Sequence, residues 1–108
     1  MLRIATALAA SLLVACATLD ATALFRSGTA ALDRGDATAA VRDLEAAARL
    51  LPDSSAVQNH LGLAYVAAQR EPEALRAFER AVEIDCDNRA AQHNLAAQLA
   101  RAARGASN

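Results

Sequence analysis

Apolar side chains along this chain return every three or four residues, the spacing of one helix face, and no stretch alternates apolar with polar like a half-buried strand. The clearest stripe is Ala74, Phe78, Ala81 and Val82, with Glu73, Arg76, Glu79, Arg80 and Glu83 left to face water and Arg76 and Glu79 spaced to pair. The pattern predicts helices near Thr22–Arg34, Thr38–Leu51, Ala56–Gln69, Pro72–Ile84 and Arg89–Arg104. Their joints carry residues that stop and restart a helix. Gly35 suits the left-handed conformation that ends one, and Asp36 can accept from the free N–H groups of the next. Ser54 and Ser55 can cap after Pro52-Asp53, and Pro72 sits in a first turn, where its missing N–H costs nothing.

The pattern also repeats. Thirty-four residues separate Gly28 from Gly62, Ala40 from Ala74, Leu44 from Phe78, Ala47 from Ala81, Leu50 from Ile84 and Asp53 from Asp87, the mark of a repeat array. Alanine supplies 31 of the 108 residues, so matched alanines carry little weight. The glycine pair, the large apolar pairs and the run Asn59-His60-Leu61-Gly62-Leu63-Ala64-Tyr65 carry more. With Ala74, Phe78 and Ala81 after it and a close at Ile84-Asp85-Cys86-Asp87-Asn88, this copy resembles the tetratricopeptide repeat, a helix-turn-helix unit whose usual business is holding other proteins.

The resemblance implies an all-α fold, a short α-solenoid of antiparallel helix pairs. It divides the chain into a degenerate repeat over 21–54, a second repeat over 55–88, a capping half-repeat over 89–104 and a disordered tail over 105–108. The first copy is the weaker one, because Ser27 stands where Leu61 and Leu95 stand and Ala31 replaces Tyr65. Gly62, Ala74 and Ala81 are small enough to let paired helices approach closely, while Phe78 and Tyr65 fill the remaining space. The last helix is expected to hide the second repeat's apolar side and to show Gln92, His93, Gln98 and Arg101 to water. Two and a half repeats fall short of the three usually needed for stability, so a partner or another copy is expected to complete the array.

The first twenty residues read as an address. Met1-Leu2-Arg3 is a short positive start and Ile4 to Val14 an apolar stretch of 11 residues, too short to span a bilayer and suited to a cleavable signal peptide over 1–15. Leu13-Val14-Ala15-Cys16 resembles the lipobox of bacterial lipoproteins, which implies diacylglycerol on the Cys16 thiol, cleavage just before it and a short tether over 16–20. Several acyl chains would hold such a protein in the membrane. Ala17 after the cysteine favours, by the same resemblance, an outer-membrane lipoprotein facing the periplasm. The rival reading takes Ala15-Cys16-Ala17 as an ordinary cleavage site that releases a soluble periplasmic or secreted protein. Cys86 then has no partner for an internal disulfide and stands in a turn usually closed by proline, or bridges to another chain.

Composition removes several alternatives. A net charge of -1 without a single lysine offers no clustered basic surface for nucleic acid. Only His60 and His93 are available as bases, no nucleophile elbow surrounds a serine, and no histidine or cysteine pair has metal-ligand spacing. The four glycines are scattered singly, without a phosphate loop. The expectation is a protein that is not an enzyme and needs neither metal nor cofactor.

In the resembled family the first helices of successive repeats line a concave groove. Carried onto this chain, its candidates are Thr22, Phe25, Thr29, Leu32, Asn59, Leu63, Val66, His93, Ala97 and Arg101. A basic clamp for a carboxyl terminus is not supported, since Phe25 and Thr29 hold the corresponding places. Phe25, Leu32, Leu63 and Val66 instead suggest an apolar groove, with Asn59, His93 and Arg101 orienting a helix or extended segment. Phe25 and Leu32 equally fit the packing between repeats. The expected role is a lipid-tethered adaptor for a protein or peptide partner in envelope, pilus or secretion-system assembly, or else a structural element that associates with a second copy of itself.

Overall fold

The computed structural model describes the backbone of residues 2–108 and the side chains of Cys16 and of 18–108. Five helices follow one another: α1 (Leu2–Asp33), α2 (Ala37–Leu50), α3 (Ser55–Ala67), α4 (Glu71–Ile84) and α5 (Arg89–Ala106). Among the described residues there is no strand. The helices pair in order, α1 on α2 and α3 on α4, with α2 against α3 and α4 against α5 joining the pairs into one helical repeat stack.

The joints follow from local chemistry. Asp36 caps α2 by accepting from the Ala39 N–H at 3.1 Å, Ser54 caps α3 through Val57, and Asn88 caps α5 through Ala91. Gly35 ends α1 at φ 78, and Gln69, 34 residues on, takes φ 59. The hydrogen bonds match as well. Asp36 N–H reaches Ala31 O and Arg70 N–H reaches Tyr65 O, each at 2.8 Å, the six-to-one bond of a Schellman close.

One core runs through both pairs, uniting Ala31, Ala39, Ala40, Val41 and Leu44 with Leu61, Ala64, Tyr65, Ala74, Ala77 and Phe78. Its largest fully buried side chains are Leu44 and Phe78, and each rests on a glycine of the facing helix. A Cβ at Gly28 would come within 2.5 Å of Leu44 Cγ, and one at Gly62 would overlap the Phe78 ring, whose Cζ would lie 2.8 Å away. Both glycines are there because the helices touch backbone to side chain.

Four expectations are revised. Residues 16–20 are helical and continuous with α1 instead of forming a tether, because no glycine or proline occurs between residues 2 and 27. Helix α5 runs past Arg104 through Gly105 to Ala106, where Ser107 caps it. Gln98 is buried, 3% exposed, because it stands at the position of buried Ala64 one repeat earlier and hands its amide to Glu71. Arg80, in place of Arg76, is the paired arginine of α4, with Asp53 at 3.0 Å and Glu83 at 3.5 Å. The expected signal segment, 1–15, and Ala17 lie outside the residues whose side chains are described. Among the described residues no helix is long and apolar enough to cross a membrane.

Candidate partner-binding groove

The first helix of each pair and α5 form a row, with α3 touching α1 on one side and α5 on the other. Two lateral contacts hold the row. The Phe25 ring meets the His60 ring edge-on, with centroids 4.9 Å apart at 80°, and Asn94 Nδ2 donates to Asn59 Oδ1 at 2.9 Å. Each contact spans 35 residues and the second is the first moved on by one repeat, so one joint recurs with an aromatic pair and then an amide pair. The chain makes one helix-row joint in two chemistries.

That assignment divides the expected groove residues. Asn59 is 5% exposed and its carbonyl is already engaged, so it locks α3 to α5 instead of meeting a ligand. Phe25 is half-buried in the equivalent joint. Thr29 is half-buried and donates its hydroxyl to Arg26 O at 3.0 Å, while Thr22 is exposed and bonds back to Thr18 O. Leu32, Leu63 and Val66 touch the core and stay partly open, whereas His93, Ala97 and Arg101 are exposed on α5. The row thus offers a half-buried aliphatic strip on α1 and α3 and a polar strip on α5.

Arg101 also borders a cleft that sequence reasoning missed. Glu71, Pro72, Leu75, Gln98, Ala102 and Gly105 line it with Arg101, between α4 and α5, around about 570 Å³ of open space. Its floor is aliphatic and its rim carries one acid and one base, a fit for an apolar side chain with a polar flank. The signal in the sequence is Gln98, a polar residue at a register position that is alanine in both earlier copies, Ala30 and Ala64.

The most perturbed carboxylate sits elsewhere. Asp43 is 7% exposed on α2, receiving Arg42 Nε at 2.9 Å and Ser27 Oγ at 2.6 Å, and these hydrogen bonds hold its carboxyl below the ordinary carboxylate range. Burial pushes the Tyr65 phenol up, with the Glu45 carboxylate adding to the shift, while the Arg70 guanidinium lies 4.8 Å over its ring. Both groups tie helices together. Cys16 and Cys86 are free, exposed thiols. Among the described residues no three His, Cys, Asp or Glu side chains gather as a metal site.

The family model for the tetratricopeptide repeat matches residues 31–99, from the last turn of α1 to the middle of α5. No curated protein matches the chain.

Proposed function

Because the chain belongs to the tetratricopeptide-repeat family, whose repeats generally mediate protein–protein interaction, we propose that it is a non-catalytic adaptor. It holds a segment of another protein along α1, α3 and α5, and a lipid on Cys16 tethers it to the periplasmic face of the outer membrane. There it assists assembly of an envelope, pilus or secretion structure. The observation that carries the binding role is the partly open strip of Leu32, Leu63 and Val66 beside the exposed His93 and Arg101. Aliphatic side chains left half-covered in a row suit an apolar segment, and the flanking cation and imidazole fix its direction. Phe25 and Asn59 support the groove from its joints.

The anchor rests on Leu13-Val14-Ala15-Cys16 and on the exposure of the Cys16 thiol. Cleavage before Cys16 would leave α1 starting there, with Asp20 close to the new helix N-terminus, where a carboxylate is favoured.

Two measurements test the two halves separately. Crosslinking in cells followed by capture from detergent-solubilised membranes should recover one partner with the parent chain and lose it with the surface double variant His93→Glu/Arg101→Glu. Equal recovery by both would place binding off this groove. Fatty-acid labelling should mark the parent and not Cys16→Ser, and the variant should move from the membrane to the soluble fraction. Labelling of neither, with both chains soluble, would support the secreted alternative.

A further inference from the structure

The three helices of the groove row carry charge in register, and its sign changes across the row. Asp33, Ala67 and Arg101 stand one repeat apart, each one turn beyond the groove positions Thr29, Leu63 and Ala97, and all three are exposed. Three residues on, Asp36, Arg70 and Arg104 repeat the trend. Asp36 and Arg70 are bound within their own turns, to Arg34 and to Glu73, which leaves Asp33 at one side of the row and Arg101 with Arg104 at the other. Helices α3 and α5 contain no acid to offset those arginines.

These charges are not used inside the molecule. Among the described residues Asp33, Arg101 and Arg104 are in no ion pair, and the paired arginines are Arg34, Arg42, Arg70 and Arg80. Asp33 ends α1, where the carbonyl dipole disfavours an acid. Glu71 borders the same α4–α5 cleft as Arg101, yet its carboxylate accepts from the Gln98 amide instead. Nor do Asp33 and Arg101 satisfy each other. Packed helices lie about 8–10 Å apart, so two steps along the row separate the pair by roughly 16–20 Å, about twice the Debye length at physiological salt. Arg26 is set apart from both, because its register position is that of His60 and Asn94, which turn to the preceding helix of the row.

We propose that the groove takes a protein segment graded in charge, with a cation against Asp33, aliphatic side chains on Leu32, Leu63 and Val66, and a carboxylate against Arg101. This rests on the groove assigned above and adds the charge order of its partner. The row is spanned by about five or six residues of an extended chain at 3.3 Å each, or by about 11–13 residues of a helix at 1.5 Å each. A segment entering the other way round would set like charges together at both ends, which is how an interface rejects a wrong pose. The segment therefore binds in one direction.

The probe is a synthetic peptide of about 12 residues, long enough to span the row as a helix, with lysines at one end, a Leu-Ala centre and glutamates at the other, made in both chain orders. Fluorescence anisotropy with the full chain should show one order binding at least about tenfold tighter than a peptide of the same composition with its charges alternated. With a nitroxide on the acidic end, amide signals of α5 should broaden in the parent. The charge-swapped variant Asp33→Arg/Arg101→Asp/Arg104→Asp changes only exposed positions, so its circular-dichroism melt should match the parent, and the broadening should move to α1.

Equal binding of graded and alternated peptides, binding of neither, or broadening of α5 that the swap leaves in place would each overturn the charge order. Any of these results beside in-cell partner capture that still requires His93 and Arg101 would overturn it while leaving the adaptor role intact.

Discussion

The pairs α1–α2 and α3–α4 are built on one frame and finished with different chemistry. Both cross at a glycine beneath the largest buried side chain of the second helix, Gly28 under Leu44 and Gly62 under Phe78. Beside that crossing they diverge. Ser27 and Asp43 form a part-buried hydrogen bond in the first pair, where Leu61 and Ala77 belong to the apolar core in the second. At the turn, the first pair has Gly35 at positive φ and Asp36 as a side-chain cap. The second has Gln69 at positive φ and Arg70 without a cap bond. The close crossing is what the fold keeps, and its surroundings change so long as each polar group finds a partner.

Removing the crossing should therefore have the largest effect and should affect both pairs. Phe78→Ala is expected to cost about 3–5 kcal/mol and Leu44→Ala about 2–5 kcal/mol, through lost transfer free energy and the cavity left behind. Urea unfolding followed by helical signal measures both. If Leu44→Ala were harmless while Phe78→Ala was severe, the first pair would be an appendage and not half of one core.

The polar contact of the first pair gives the next largest effect. Asp43→Ala should cost about 1–3 kcal/mol, since it removes a buried carboxylate from two hydrogen bonds. Installing the second pair's chemistry, Ser27→Leu with Asp43→Ala, should recover part of that loss, because it sets an apolar pair where the hydrogen bond stood. Acid separates the two designs. Asp43 is held below the ordinary carboxylate range, so its contribution is present above the unfolded group's value and is lost as pH falls through the depressed folded value. The parent should lose more stability than the double variant as pH falls through that window, and parallel acid limbs would show that the contact contributes nothing.

Smaller again is the cap. Asp36→Ala should cost about 1 kcal/mol by freeing the Ala39 N–H, while Arg70→Ala has no cap to lose. It would instead release the ion pair with Glu73 at 3.0 Å and the contact over Tyr65. Raising ionic strength should narrow the cost of Arg70→Ala more than that of Asp36→Ala, because the Arg70–Glu73 pair lies at 3.0 Å and the Arg34–Asp36 pair at 3.8 Å, while the hydrogen bond from the Ala39 N–H persists.

The frame was readable in the sequence because it is made of spacing. The recurrence of Gly28 and Leu44 at Gly62 and Phe78, and the caps at Asp36 and Ser54, are local or periodic features that one strand of letters displays. The lateral joints were not readable in the same way. Phe25 against His60 and Asn59 against Asn94 share a register but no residue type, so a search for like residues passes over them. Asp43 and Gln98 look like solvent-facing residues of amphipathic helices. Their burial depends on Ser27 and Glu71 arriving from other helices. In the groove, likewise, nothing local to Asn59 shows that its carbonyl accepts from Asn94 of another helix. The extension of α1 through 16–20 was obscured by treating Cys16 as a processing boundary, although the surrounding residues favour helix throughout.

The turn makes the finest comparison, since beyond the cap its two versions differ in the residue at positive φ. Gly35 N–H bonds Leu32 O at 3.0 Å and Gln69 N–H bonds Val66 O at 3.0 Å, so the hydrogen-bond frame is shared. Both residues are exposed, and a Cβ at Gly35 would meet nothing within 4 Å. What remains is backbone preference. The left-handed conformation costs a residue with a Cβ about 1–2 kcal/mol, and glycine's extra freedom in the unfolded chain offsets about 0.5–1 kcal/mol of that. Gln69→Gly should therefore stabilise the chain by about 0.5–1 kcal/mol, and Gly35→Ala should destabilise it by a similar amount. In a domain this small the pair should move the melting temperature in opposite directions by about 2–8 °C. If Gln69→Gly lowered it instead, the glutamine side chain would be contributing a contact beyond its backbone, and the two turns would not be the same device.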